Sequence, residues 1–204
     1  MLREQFIGRN PSHFHINPIV RAFIISETFI WSAWNFFIPI SAIFVVRNIS
    51  GGSLEIAASA FSAHLIARVI FELISAKLLT REERQKIITS IIGLSFLSLS
   101  YVGLAFSDSI FQLFIFYIVA GIGFGVASPA KNSLFSIHLD KDRESSEWSF
   151  YDAIVFIAIA LATALGGFVA AGYGFKILFI SSSIVNIIGT LPYLLYLKRP
   201  QRTV

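Results

Sequence analysis

Six long apolar runs separated by five short polar breaks dominate the chain. The runs cover roughly 18–46, 54–79, 87–106, 109–136, 149–172 and 175–197. The breaks read RNISGGS, TREERQK, FSDS, HLDKDRESSEWS and GYGFK. About 20 apolar residues in a helix span the ~30 Å core of a bilayer, so each run predicts one membrane crossing. The second run fits least well, because it carries Glu55, Arg68, Glu72 and Lys77. Pro39 and Pro192 predict kinks in the first and sixth crossings. The segment before residue 18 lacks the apolar centre and small-residue cleavage site of a signal peptide. The expected organisation is a tail over 1–17, a transmembrane domain over 18–197 and a tail over 198–204.

Composition strengthens this picture. Of 204 residues, 55% are hydrophobic and only 14% charged, against about 25% charged in a soluble domain. Such a chain cannot cover itself in water. Basic residues then set the orientation. Both tails and the second and fourth breaks, with Arg21 and Lys77 at the adjoining run ends, hold twelve Lys and Arg; the opposite face holds Arg47 and Lys176, and Arg68 and Lys131 fall deeper within the runs. The positive-inside rule puts both termini in the cytoplasm of a multi-pass protein of the cell membrane. The net charge of +4 lies in the breaks, as suits a membrane surface and not nucleic acid. With no cysteine, disulfide and thiolate chemistry are excluded.

The stretch GIGFGVASPAKN, residues 121–132, invites a dinucleotide-loop reading. Its glycines lie inside the fourth run, however, and Asp140 and Asp142 follow in a charged break and do not end a second strand. Within a membrane helix, Gly121, Gly125, Ser128 and Asn132 form a narrow stripe that lets another backbone approach. Ala158, Ala162, Gly166 and Ala170 in the fifth run, with Gly167 and Ala171 beside them, offer a matching surface. The expectation is tight packing of the fourth and fifth crossings.

In order, spacing and side of the membrane, these motifs resemble half of a major facilitator superfamily transporter. GIGFGVASPA is similar to that family's glycine-rich fourth helix, with Tyr117 where an arginine is usual. ALATALGGFVAAGYGFKILFI is similar to the fifth helix, outer turn and sixth helix. AKLLTREERQK stands in the place of the basic motif between helices two and three. There Ala76, Thr80 and Glu83 depart from the usual residues, while Arg81, Arg84 and Lys86 keep the charge. The resemblance implies an all-α half bundle of two three-helix repeats. It also implies a substrate path between halves, so a lone half implies a homodimer, a partner half, or a protein that no longer transports. A parallel two-fold dimer fits the symmetry of the family's own halves.

Charges inside a bilayer are functional candidates. Glu27 and Arg68 both approach the midplane, at depths of about 13 and 15 Å by helix rise, and are expected to pair or to share a cavity. Glu27, Trp31 and Trp34 lie on one face of the first helix, with Thr28, Ser32 and Asn35 beside them. The resemblance puts helices one and four along the central path. A partly desolvated Glu27 there would exchange the coupling proton, and Trp31 and Trp34 would shape a substrate pocket. Helix packing is the plainer reading of the tryptophans. Glu72, one turn from Arg68, competes for the same guanidinium. Lys131 and Asp152 are expected to pair near the inner gate, or else to snorkel to the headgroups.

The leading expectation is a secondary transporter of a small solute, assembled as a dimer and coupled to protons through Glu27, with no cofactor and no metal. The alternative is an accessory or binding membrane protein that pairs with another half. An enzyme is not expected. An intramembrane serine protease needs a serine with a histidine base, and His64 is the one histidine within the runs. A lipid phosphatase would group histidines and arginines at one interface.

Overall fold

The computed structural model describes residues 18–198; the expected tails, up to residue 17 and beyond Lys198, lie outside the described residues. Among the described residues all regular structure is helical, apart from an isolated bridge between Ser50 and Ser109. Helix α1 spans Pro18–Asn35, a 3-10 turn spans Ile38–Ile40, and α2 spans Ser41–Asn48. Pro39 sits in that turn, where its missing N–H and fixed φ break the helix. Helix α3 spans Leu54–Leu78, α4 Glu83–Ala105, α5 Ile110–His138 and α6 Glu144–Leu197. Gly51, at φ 74°, turns the chain into α3. The Ser53 hydroxyl then accepts from the Ile56 N–H and caps the helix.

Among the described residues, five helices are long and apolar enough to cross a membrane, with Pro18–Asn48 counted as one. The last is 54 residues long, about 80 Å at 1.5 Å per residue, far beyond a ~30 Å hydrocarbon core. It is not continuous. Gly174 has φ 83° and ψ 168°, outside the helical region. Tyr151 and Tyr193, on either side of it, both reach the carboxylate of Glu27. A straight helix would hold them about 60 Å apart, so the chain reverses at Gly174.

The helices are apolar all round. Leu73, Phe111 and Phe168 are 67%, 74% and 69% exposed, which suits lipid and not water as their surroundings.

The glycine stripe of α5 does not pack as expected. A Cβ on Gly121 or Gly125 would strike α3, at the backbone carbonyl of His64 or of Arg68. A Cβ on Gly123 would meet Gly93 and Leu97 of α4. Residues 121 and 123 point to opposite sides of a 3.6-residue helix, so α5 is gripped by two neighbours through one glycine cluster. Gly166 abuts the backbone of Phe36, between α1 and the 3-10 turn, and among the described residues nothing lies within 4 Å of a Cβ on Gly167. The close approach at Gly166 therefore serves the first crossing and not the fourth. The spacing revealed that a close approach occurs; which helix approaches depends on bundle order.

Candidate functional site

The buried charges meet between α1 and α5. Lys131 Nζ donates to both carboxylate oxygens of Glu27, at 2.8 and 2.9 Å. The two residues are 5% and 7% exposed, a degree of burial that charges tolerate only when paired and hydrogen-bonded. Tyr193 Oη donates to Glu27 Oε1 at 3.1 Å and Tyr151 Oη to Oε2 at 3.5 Å. The carboxylate thus gathers an ammonium and two phenols, with each oxygen serving two donors. The group borders a small cavity whose other walls include Phe23, Asn132, Phe135 and Trp148.

This arrangement corrects two expected pairs. Glu27 does not meet Arg68, because Lys131 occupies its carboxylate. Lys131 does not meet Asp152, which lies exposed at the surface of α6. Arg68 instead pairs with Glu72 one turn along α3, with Nε and Oε2 3.5 Å apart, and its guanidinium lies 5.2 Å from the centre of the Phe124 ring. Periodicity put Glu72 within reach of Arg68. No periodicity within one helix specifies the contact between α1 and α5.

The tryptophans divide. Trp34 is buried in an aromatic core, stacked on His64 at 4.8 Å and edge-on to Phe37 and Phe124. Packing is its evident role. Trp31 is half-buried, 5.8 Å from Phe124. Asn35 donates to the Trp31 carbonyl, and its own carbonyl accepts from Thr163 of α6. His64 meets the Tyr117 carbonyl through Nδ1 at 3.3 Å; a carbonyl only accepts, so Nδ1 carries the proton.

No periodicity marks Tyr151 and Tyr193; the one signal in the sequence is that a phenol within an apolar helix needs a polar partner. A second polar cluster is equally silent in the sequence pattern. Tyr196 Oη lies 3.3 Å from Glu83 Oε2 and 3.0 Å from His138 Nε2, and His138 Nε2 lies 3.7 Å from Glu83 Oε1. It ties together the start of α4 and the ends of α5 and α6. Phe23 contacts both His138 and Tyr193, so the two clusters share a wall.

Comparison with known proteins adds two findings. The model of the Major Facilitator Superfamily matches residues 23–204. A stretch of 69 residues is 35% identical to the bacillibactin exporter of Bacillus subtilis (strain 168), covering 34% of this chain and 17% of the exporter's length.

Proposed function

The chain belongs to the Major Facilitator Superfamily, and on that premise we propose that it is a secondary transporter that moves a small solute across the cytoplasmic membrane, with Glu27 as its proton-exchanging group. The observation that carries the reading is the buried Glu27–Lys131 pair. Two charges inside a bilayer protein are expensive to hold, and they mark ion and substrate pathways. Protonation of Glu27 neutralises one partner and leaves the ammonium uncompensated. The pair is therefore a two-state element that a proton can bias.

The reversal at Gly174 supports six crossings, with both termini in the cytoplasm as the basic residues require. Six crossings make one half of a two-half pathway. The half-exposed Arg68–Glu72 pair on α3 is poorly suited to face lipid and well suited to face another subunit or a water-filled path. We assign the second half to another copy of this chain in a parallel two-fold dimer. Likeness to an exporter favours outward movement of the solute.

The test is counterflow or gradient-driven transport in proteoliposomes under an imposed pH gradient, screening organic solutes. Wild type is expected to accumulate a solute in response to the gradient, and Glu27→Gln to lose that response while still equilibrating the solute passively. Gradient-driven accumulation by Glu27→Gln equal to wild type would sink the proton role.

A further inference from the structure

A groove of about 250 Å³ runs between the start of α1 and the end of α6. Ile25 and Leu195 at its rim are 48% and 65% exposed, on the apolar outer surface. Its floor is Phe23, Ser26 and Tyr193, all buried. Phe23 and Tyr193 also wall the chamber of Glu27 and Lys131. Their rings meet edge-on, 5.3 Å apart at 75°. A single aromatic pair therefore separates an apolar groove, open to the membrane, from a buried ammonium.

Three features define an occupant. The groove lies along the first turns of α1. Phe23 to Ser26 are five to eight residues from Pro18, roughly 8–12 Å along the axis, at the depth of acyl chains. Its volume is below the ~300–1,000 Å³ that encloses a drug-sized body, so it suits a slender apolar chain. Beyond the partition stands Lys131, whose counter-charge disappears when Glu27 is protonated. An anion arriving there restores neutrality in a place where an unpaired charge is costly.

Resting on the transport reading, we propose that groove and chamber form one two-part site for a single-chain amphipathic organic anion. The apolar chain lies in the groove between α1 and α6. The anionic head meets Lys131 once Glu27 holds a proton. Phe23 and Tyr193 are the door between the two parts.

The test uses decanesulfonate carrying a chain diazirine, whose head stays anionic at the acidic pH that protonates a carboxylate, cross-linked to the full protein in phosphatidylcholine vesicles and mapped by mass spectrometry. Label is expected on the groove around Ala22, Ile25 and Leu195, displaced by unlabelled decanesulfonate and not by decanol. Ala22→Phe fills the groove from an exposed position and should remove the label. The double variant Glu27→Gln with Lys131→Met leaves no stranded charge, and should weaken labelling about tenfold, the worth of one hydrogen bond to a charged group. Equal displacement by decanol, displacement by phosphatidylglycerol, or full labelling of the double variant would show ordinary lipid contact and overturn the proposal. Saturable, Lys131-dependent labelling without gradient-driven transport would retain this site and remove the transport reading. Proton-driven transport without such labelling would do the reverse.

Discussion

Lys131 reaches across 104 residues of sequence to hold both oxygens of Glu27, and the contact joins the first crossing to the fourth. Because both groups are buried, the pair stays intact only while both charges are present. Removing one leaves the other stranded, an effect of about 3–5 kcal/mol. Glu27→Gln and Lys131→Met are each expected to lower the thermal midpoint in detergent. The double variant should recover much of the loss. A double variant as unstable as the sum of the two singles would mean that the residues act independently.

The glycines of α5 make a contrast with α6. Gly121→Leu would drive a side chain into the α3 backbone at His64, at a cost of about 1–3 kcal/mol or more, since a backbone cannot move aside as a side chain can. Gly167→Leu meets open space and should leave the midpoint unchanged or slightly raised. Thermal scans of the purified variants compare the two directly.

Chain reversal at Gly174 has a consequence for topology. With no native cysteine, single cysteines report sidedness without background. Cysteines at the exposed positions 51, 108 and 173 should react with an impermeant maleimide from outside intact cells. Cysteines at 80 and 141 should react only after permeabilisation. Inside-only labelling at position 173 would contradict the sixth crossing.

A second copy of the chain is the expected partner for the α3 face. Native mass spectrometry from nanodiscs should give twice the mass of the 22.7 kDa chain, and a cysteine introduced near Glu72 should form a disulfide between subunits. A monomer that transports, or a stable complex with a different protein, would remove the homodimer.

Much of the fold was legible along the chain because a bilayer makes a strict demand. Every backbone polar group must be satisfied within its own helix, so a crossing announces itself as a long apolar run. The runs, the short breaks between them and the break at Pro39 follow from that rule alone. So does the need for close approach at Gly121, Gly125 and Gly166, since only small residues let helices touch where lipid gives no drive to associate. The Arg68–Glu72 pair is likewise local, set by one turn of helix. The Glu27–Lys131 contact is not. Depth along a helix puts several charges at one level, but their pairing depends on which helices are neighbours and how each is rotated about its axis. Those quantities come from the whole bundle. The same holds for Tyr151 and Tyr193, which meet at one carboxylate only because the chain turns back at Gly174. The sequence by itself determined that charged side chains fall within the apolar runs; the tertiary structure alone decided which are buried and with which partners, because side chains on separate helices meet only when the packing of all the helices has fixed each one's position and rotation.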